Sequence, residues 1–169
     1  PNYLGKLDKK KRQQAKAYAL GIAYGMTGYK LQFELGVPQD DADRLVADYL
    51  RAFPNLSSWI NSSHDFVKYK GYVKTQSGRV RHMPRACTLF RRYGERLRDS
   101  LQLWKDFNQA PELYRQAKAD RKEYTNLLNN AVNFQVQGLA ASIMNRAAIA
   151  IARKLKSEQL QAAIVNQVH

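Results

Sequence analysis

The chain has 169 residues and a formal net charge of +14, from 28 Lys and Arg against 14 Asp and Glu, with 44% hydrophobic residues. That size and apolar content give one domain with a sizeable core and exclude a disordered basic tail, and the charge calls for an anionic partner, nucleic acid first. One cysteine, Cys87, excludes an internal disulfide framework and suits a reducing compartment; no zinc cluster, signal-peptide core or membrane span is expected.

In chain order, Pro1 to Asp8 reads as a turn-like lead. A helix is predicted from about Asp8 to Met26, capped by Asp8 and ended by Gly25 and Gly28. Within it Arg12, Lys16, Leu20 and Tyr24 recur every four residues. They form one slowly winding stripe, about 18 Å long. Two cations stand near the helix N-terminus, where free N–H groups also favour anions. An aliphatic and an aromatic residue follow. A ligand with a polyphosphate at one end and a flat ring at the other, such as a nucleoside triphosphate, fits that order. A solvated amphipathic helix is the plainer alternative.

A short segment, Tyr29 to Gly36, leads to Pro38 and the acidic start of a helix over Ala42 to Phe53. Pro54 ends it. Leu56 to Lys70 reads as another helix, with Trp59, Ile60, Phe66 and Val67 turned inward. Gly71 to Pro84 predicts a hairpin: Tyr72 to Gln76, a Ser77-Gly78 turn, then Arg79 to Met83. Lys74, Arg79, Arg81 and Arg85 would lie on a ribbon suited to phosphates, or simply be solvated. Two short helices are expected at Tyr93 to Phe107 and Pro111 to Ala119. Their basic and aromatic surface fits nucleic-acid contact, a packed insertion with a wet face, or a docking site for an accessory protein. Tyr124 to Leu155 is a long helix or kinked pair with Gly138 as an interior weak point. Ala162 to His169 reads as a strand.

Three segments together resemble the family A DNA polymerases. The run KRQQAKAYALGIAYG, with RxxxK followed by a hydrophobic-G-hydrophobic-x-YG, is similar to the family's fingers helix, motif B. GYVKTQSGRVRHMP is similar to its GYVETLFGRRRYLP-type segment, and NNAVNFQVQGLAAS to its RxxxNxxxQGTAAD segment. The resemblance implies that Arg12 and Lys16 hold dNTP phosphates, with Lys16 a proton donor to pyrophosphate. It places Leu20 beside the sugar, where the family has Phe or Tyr. Tyr24 and Gly25 fall near the base pair and template. Asn133 and Gln137, four apart on one helix face, fall at the primer terminus and minor groove, and Arg79 and Arg81 on the primer-template backbone. Read without the family, Asn133 and Gln137 are polar residues on an exposed face. Asn129 and Ser142 stand where the family commonly has Arg and Asp, so those two roles are not carried over.

AAIVNQVH resembles the start of the family's motif C and brings His169 to the primer side. In the family two Mg²⁺ ions serve nucleotidyl transfer, held by an Asp after that His and an Asp of motif A. Neither is present here, so catalysis is expected only with fragments carrying motif A and the rest of motif C, on primer-template DNA and dNTPs. The implied fold is mainly α with a small β-hairpin and a C-terminal strand: the fingers plus partial palm of a right-hand polymerase. It divides into fingers (1–85), a basic and aromatic insertion (86–123), and a long helix leading to the palm strand (124–169). The insertion and Leu20 suggest a phage member, working in a bacterial cytoplasm. The alternative from another class is a non-catalytic basic helical module that grips nucleic acid.

Overall fold

In the computed structural model, residues 9–98 and 100–165 are described. The helices start and stop where local chemistry demands. They are α1 (Lys9–Ala23), α2 (Gly28–Leu35), α3 (Gln39–Ala52), α4 (Pro54–Lys70), α5 (Pro84–Tyr93), α6 (Ser100–Phe107) and α7 (Pro111–Ser157). A 3₁₀ turn at Gly94–Arg98 joins α5 to α6. Proline occupies the first turn of α4, α5 and α7, where its missing N–H costs nothing. Strands β1 (Tyr72–Lys74) and β2 (Val80–His82) pair antiparallel, with Tyr72 opposite His82 and Lys74 opposite Val80. The Thr75 N–H donates to the Arg79 carbonyl at 2.8 Å and closes the turn.

Two apolar clusters form the interior. The smaller joins Ile22 of α1, Leu31 of α2 and Ala42 of α3, with Tyr18, Leu45 and Tyr49 packed around them. The larger gathers Val67 of α4, Val73 and Met83 of the hairpin, Leu89 and Tyr93 of α5, Leu97, Leu103, and Tyr124, Leu128 and Ala131 of α7. A groove of about 420 Å³ runs between them, with Ile22, Met26 and Val46 on one wall and Leu97, Tyr124 and Leu128 on the other.

Several expectations need correction. The second short helix and the long helix are one unbroken 47-residue helix, α7. It is about 70 Å long at the usual rise. Nothing between 119 and 124 breaks it, because KADRKE contains no Gly or Pro and favours the helix. The helix expected over Tyr93–Phe107 is instead a 3₁₀ turn and α6, and α5 precedes it. Phe66 is exposed and stacks edge-on against Tyr72, ring centroids 5.2 Å apart. Ala162 to Val165 forms no strand, having no partner to pair with among the described residues, and its side chains are exposed. Residues 166–169, including His169, lie outside the described residues, as does Asp8 with its expected cap.

Gly138 is a seat for the hairpin. A Cβ there would lie 2.9 Å from the Thr75 methyl. Thr75 is buried and β-branched, so it has little room to yield. Beside it the Ser77 hydroxyl donates to Ser142 Oγ, and Ser142 donates to the Gly138 carbonyl, both at 2.9 Å. Ser142 thus fastens the hairpin turn to α7.

Two charged hubs tie down the segment from α5 to α6. Asp120, 2% exposed, accepts from Tyr93 Oη at 2.8 Å, Gln116 at 3.0 Å and Arg85 at 3.3 Å, with Arg92 at 3.7 Å. A buried carboxylate survives only with such a complement of donors. Lys68 of α4 contacts Asp65 at 2.9 Å and Glu95 at 2.8 Å, over the Phe90 ring. Burial acts to lower its pKa, but the hydrogen bonds it donates to Glu95 and Asp65, with their charges, outweigh this and leave it raised.

Burial and the hydrogen bond to Asp120 raise the Tyr93 pKa above its ordinary 10.0. A raised pKa means the folded state holds the proton more tightly, so this contribution is intact below about pH 10 and lost as pH climbs through the folded value. Tyr93→Phe is expected to lower stability at pH 7 by about 1.5–3 kcal/mol, the range for a hydrogen bond to a charged group. In urea denaturation the gap between wild type and variant should stay constant up to about pH 10 and narrow beyond it.

Candidate nucleotide and nucleic-acid interface

Helix α1 has one face committed to packing. Ile22 is buried, and Tyr18 donates to the Leu45 carbonyl at 3.3 Å and meets the Tyr49 ring edge-on at 5.5 Å. These contacts turn the stripe outward. Arg12, Lys16 and Leu20 are exposed, and Tyr24 is half-buried. No acidic residue occurs on α1, and neither Arg12 nor Lys16 has a carboxylate partner among the described residues. The stripe is an open cationic strip leading along the helix to a ring.

The end of α1 is built by a Schellman turn. Met26 N–H donates to the Gly21 carbonyl at 2.8 Å and Gly25 N–H to the Ile22 carbonyl at 2.9 Å. The motif puts Gly25 at φ +83°, a left-handed conformation that glycine adopts freely. The same residue is a contact point. A Cβ on Gly25 would collide with the Asn129 side chain of α7. The absent side chain lets the end of α1 rest directly on α7.

That contact forms one wall of a cleft of about 360 Å³, lined by Gly21, Tyr24, Met26 and Lys30 on one side and Asn126, Asn129, Asn130 and Asn133 on the other. The structure therefore brings Tyr24 and Asn133 to one cleft and sets Gly25 against Asn129. Asn133 Oδ1 is buried with no hydrogen-bond partner among the described residues. Gln137, one turn further along α7, is exposed. Arg12 and Lys16 stand about 18 and 12 Å from Tyr24 along α1. Arg79 and Arg81 are exposed on the hairpin, and Arg81 lies 5.8 Å from the Phe134 ring centroid, beside Asn133 in sequence. Lys30, Asn126 and Asn130 belong to the cleft and were missed from the sequence. The signal was present: 126, 130, 133 and 137 recur at helical spacing, so four amides share one face.

Among the described residues, no group of three or more His, Cys, Asp or Glu side chains is placed to hold a metal ion. The acidic residues Asp40 and Asp41 sit in the first turn of α3. These residues do not fit a two-Mg²⁺ centre. No helix among the described residues is long and apolar enough to cross a membrane.

Gly25→Ala combines a strained backbone with a collision at Asn129. We expect a loss of about 2–4 kcal/mol in urea denaturation, of which the backbone share is about 1–2. In the double variant Gly25→Ala/Asn129→Ala the steric share should return and the backbone share should remain. Full additivity of the two single losses would disprove the contact.

Residues 3–169 match the description DNA polymerase family A. DNA polymerase I of Bacillus subtilis is 32% identical over 158 residues, covering 94% of this chain and 14% of that protein. The thermostable DNA polymerase I of Thermus filiformis is 29% identical over 163 residues, 96% of this chain and 16% of its own. DNA polymerase I of Chloroflexus aurantiacus is 29% identical, with 96% and 14% covered. The chain thus spans about one seventh of the length of these relatives.

Proposed function

Since the chain belongs to DNA polymerase family A, we propose that it forms the dNTP- and primer-template-binding part of a template-directed DNA polymerase. Synthesis draws its metal-binding carboxylates from polypeptide outside these 169 residues. The observation that carries this reading is the cleft lined by both Tyr24, at the end of the cationic stripe, and Asn133 of α7, with Gly25 abutting Asn129 beside it. A triphosphate lying along α1 would have its phosphates at Arg12 and Lys16, its sugar at Leu20 and its base at Tyr24.

In this reading Arg12 and Lys16 neutralise the triphosphate, and Lys16 hands a proton to the departing pyrophosphate. Leu20 offers the sugar an aliphatic surface. Tyr24 and Gly25 bound the nascent pair. Asn133 and Gln137 present uncharged donors and acceptors to its minor groove, where all pairs share acceptors, so they test geometry without reading sequence. Arg79 and Arg81 meet the primer-template backbone, and His169 the primer side. The division into fingers (1–85), insertion (86–123) and palm-leading helix (124–169) belongs to the same proposal.

Primer extension with Mg²⁺ and dNTPs tests it: this chain alone, against this chain with fragments carrying motif A and the rest of motif C. Synthesis in the mixture alone is the expected result. Failure in both, with salt-sensitive DNA binding retained and no response to nucleotide, would leave a non-catalytic nucleic-acid-binding module. In the assembled enzyme Lys16→Ala is expected to weaken dNTP binding by about 10–100-fold, as loss of one charge-assisted contact implies. Unchanged incorporation by Lys16→Ala would sink the assignment of the phosphate strip.

A further inference from the structure

A second cleft, of about 350 Å³, lies away from the Tyr24–Asn133 site. Its floor is one face of α5, where Pro84, Cys87, Thr88 and Arg91 recur at helical spacing. Lys70 at the end of α4 and His82 at the base of the hairpin flank it, and the exposed ring of Tyr69 stands at its rim. No Asp or Glu lines it.

The treatment of cations around this cleft is uneven. Lys68, two residues before Lys70, is neutralised by Asp65 and Glu95. Arg92, the neighbour of Arg91, faces Asp120, and Arg85 reaches Asp120 and Glu123. These three cations, at the seams of α4, α5 and α7, each have a carboxylate. Lys70 and Arg91, which face the cleft, have none among the described residues and are exposed. Packing does not need them there, and mutual repulsion opposes holding them together. An anion in the cleft resolves that repulsion. The hairpin whose base residue His82 lines the cleft carries Lys74 and Arg79 at its tip, also exposed and unpaired with carboxylate among the described residues. Base and tip of the hairpin are about 7 Å apart at the rise of a strand, a distance that spans neighbouring phosphates of one strand. A repeated anion fits this arrangement better than a lone one.

We propose that the Lys70–His82–Arg91 cleft is a binding site for backbone phosphates of nucleic acid, separate from the dNTP strip and the Tyr24–Asn133 cleft. It makes no contact with base edges, so it adds affinity and orientation without sequence preference. The proposal rests on the DNA-binding reading above and extends it to a face made in part by the insertion.

The test is anisotropy of a labelled primer-template duplex titrated with the 169-residue protein between 50 and 200 mM salt. Lys70→Ala/Arg91→Ala should reduce the slope of log K against log salt by about 1.8, two contacts at about 0.9 each. Lys70→Arg/Arg91→Lys should restore it. Arg44→Ala/Arg51→Ala removes the same net charge from α3, where both arginines pair with carboxylates, and should leave the slope at its wild-type value. All these side chains are exposed, and circular dichroism confirms folding. An unchanged slope in Lys70→Ala/Arg91→Ala overturns the site. So does an equal fall in the α3 control, which would mean bulk charge alone. Saturable binding of inorganic phosphate that is lost in Lys70→Ala/Arg91→Ala, with duplex affinity intact, would assign the cleft to a free anion and overturn the backbone reading. Absence of duplex binding by the wild type would overturn the DNA-binding reading itself, together with the cleft.

Discussion

The contact between Gly25 and Asn129 sets how the end of α1 meets α7. Helix α1 carries the cations and α7 carries the amides, and their apolar clusters are separate. At the Schellman turn the backbone at the end of α1 meets Asn129 of α7, with Tyr24 and the amides lining one cleft. A side chain at position 25 would push them apart. The left-handed turn and the close approach are one requirement met by one residue, since both need the absence of a Cβ.

The rest of the larger cluster is arranged to hold α7 in place for that contact. The hairpin sits on Gly138 and is fastened through Ser77 and Ser142. Helix α5 is fixed by Tyr93 and two arginines on buried Asp120, and α4 by Lys68 on Asp65 and Glu95. These polar ties sit at seams between helices, where geometry rather than burial decides which partner is chosen. Removing one member of such a hub leaves an uncompensated charge, which costs more than the interaction itself contributes. The C-terminal half of α7 has no such cover among the described residues, and Ile143, Ile149 and Ile151 are exposed on it.

Much of this was legible in the sequence. The periodicity of Arg12 to Tyr24 specified both a helix and an outward stripe, because Tyr18 and Ile22 supply a contrasting apolar face. Pro38, Pro54 and Gly71 marked boundaries within a residue or two, and the turn at Ser77-Gly78 announced the hairpin. What escaped has a common cause. Pro111 marked the start of a helix correctly, but that helix does not end near Ala119 and continues through Tyr124. A composition shift from basic to apolar looked like a boundary, but helix propensity is indifferent to it. Gly138 looked like a flaw because its partner, Thr75, is distant in sequence. Phe66 looked buried by type, yet its side of α4 faces the hairpin edge. The amides at 126 and 130 were overlooked because polar residues on a helix announce nothing until an opposing wall is known. Ala162 to Val165 has strand-forming residues, but propensity alone does not make a strand without a neighbour.

The continuity of α7 also constrains how the chain can vary. A loop absorbs added or deleted residues at small cost, and the 3₁₀ turn and α6 before Pro111 offer that freedom. Beyond Pro111 every residue is in phase with Asn126, Asn129 and Asn133. One residue gained or lost between Pro111 and Asn126 would rotate everything upstream by about 100° around the helix axis and shift it by about 1.5 Å. Asp120 would leave Tyr93, and Ala117 would turn to solvent. Changes of length in that stretch are tolerable only in steps near seven residues, two full turns. This segment is therefore keyed to the site like teeth on a shaft, although its residues never touch the cleft.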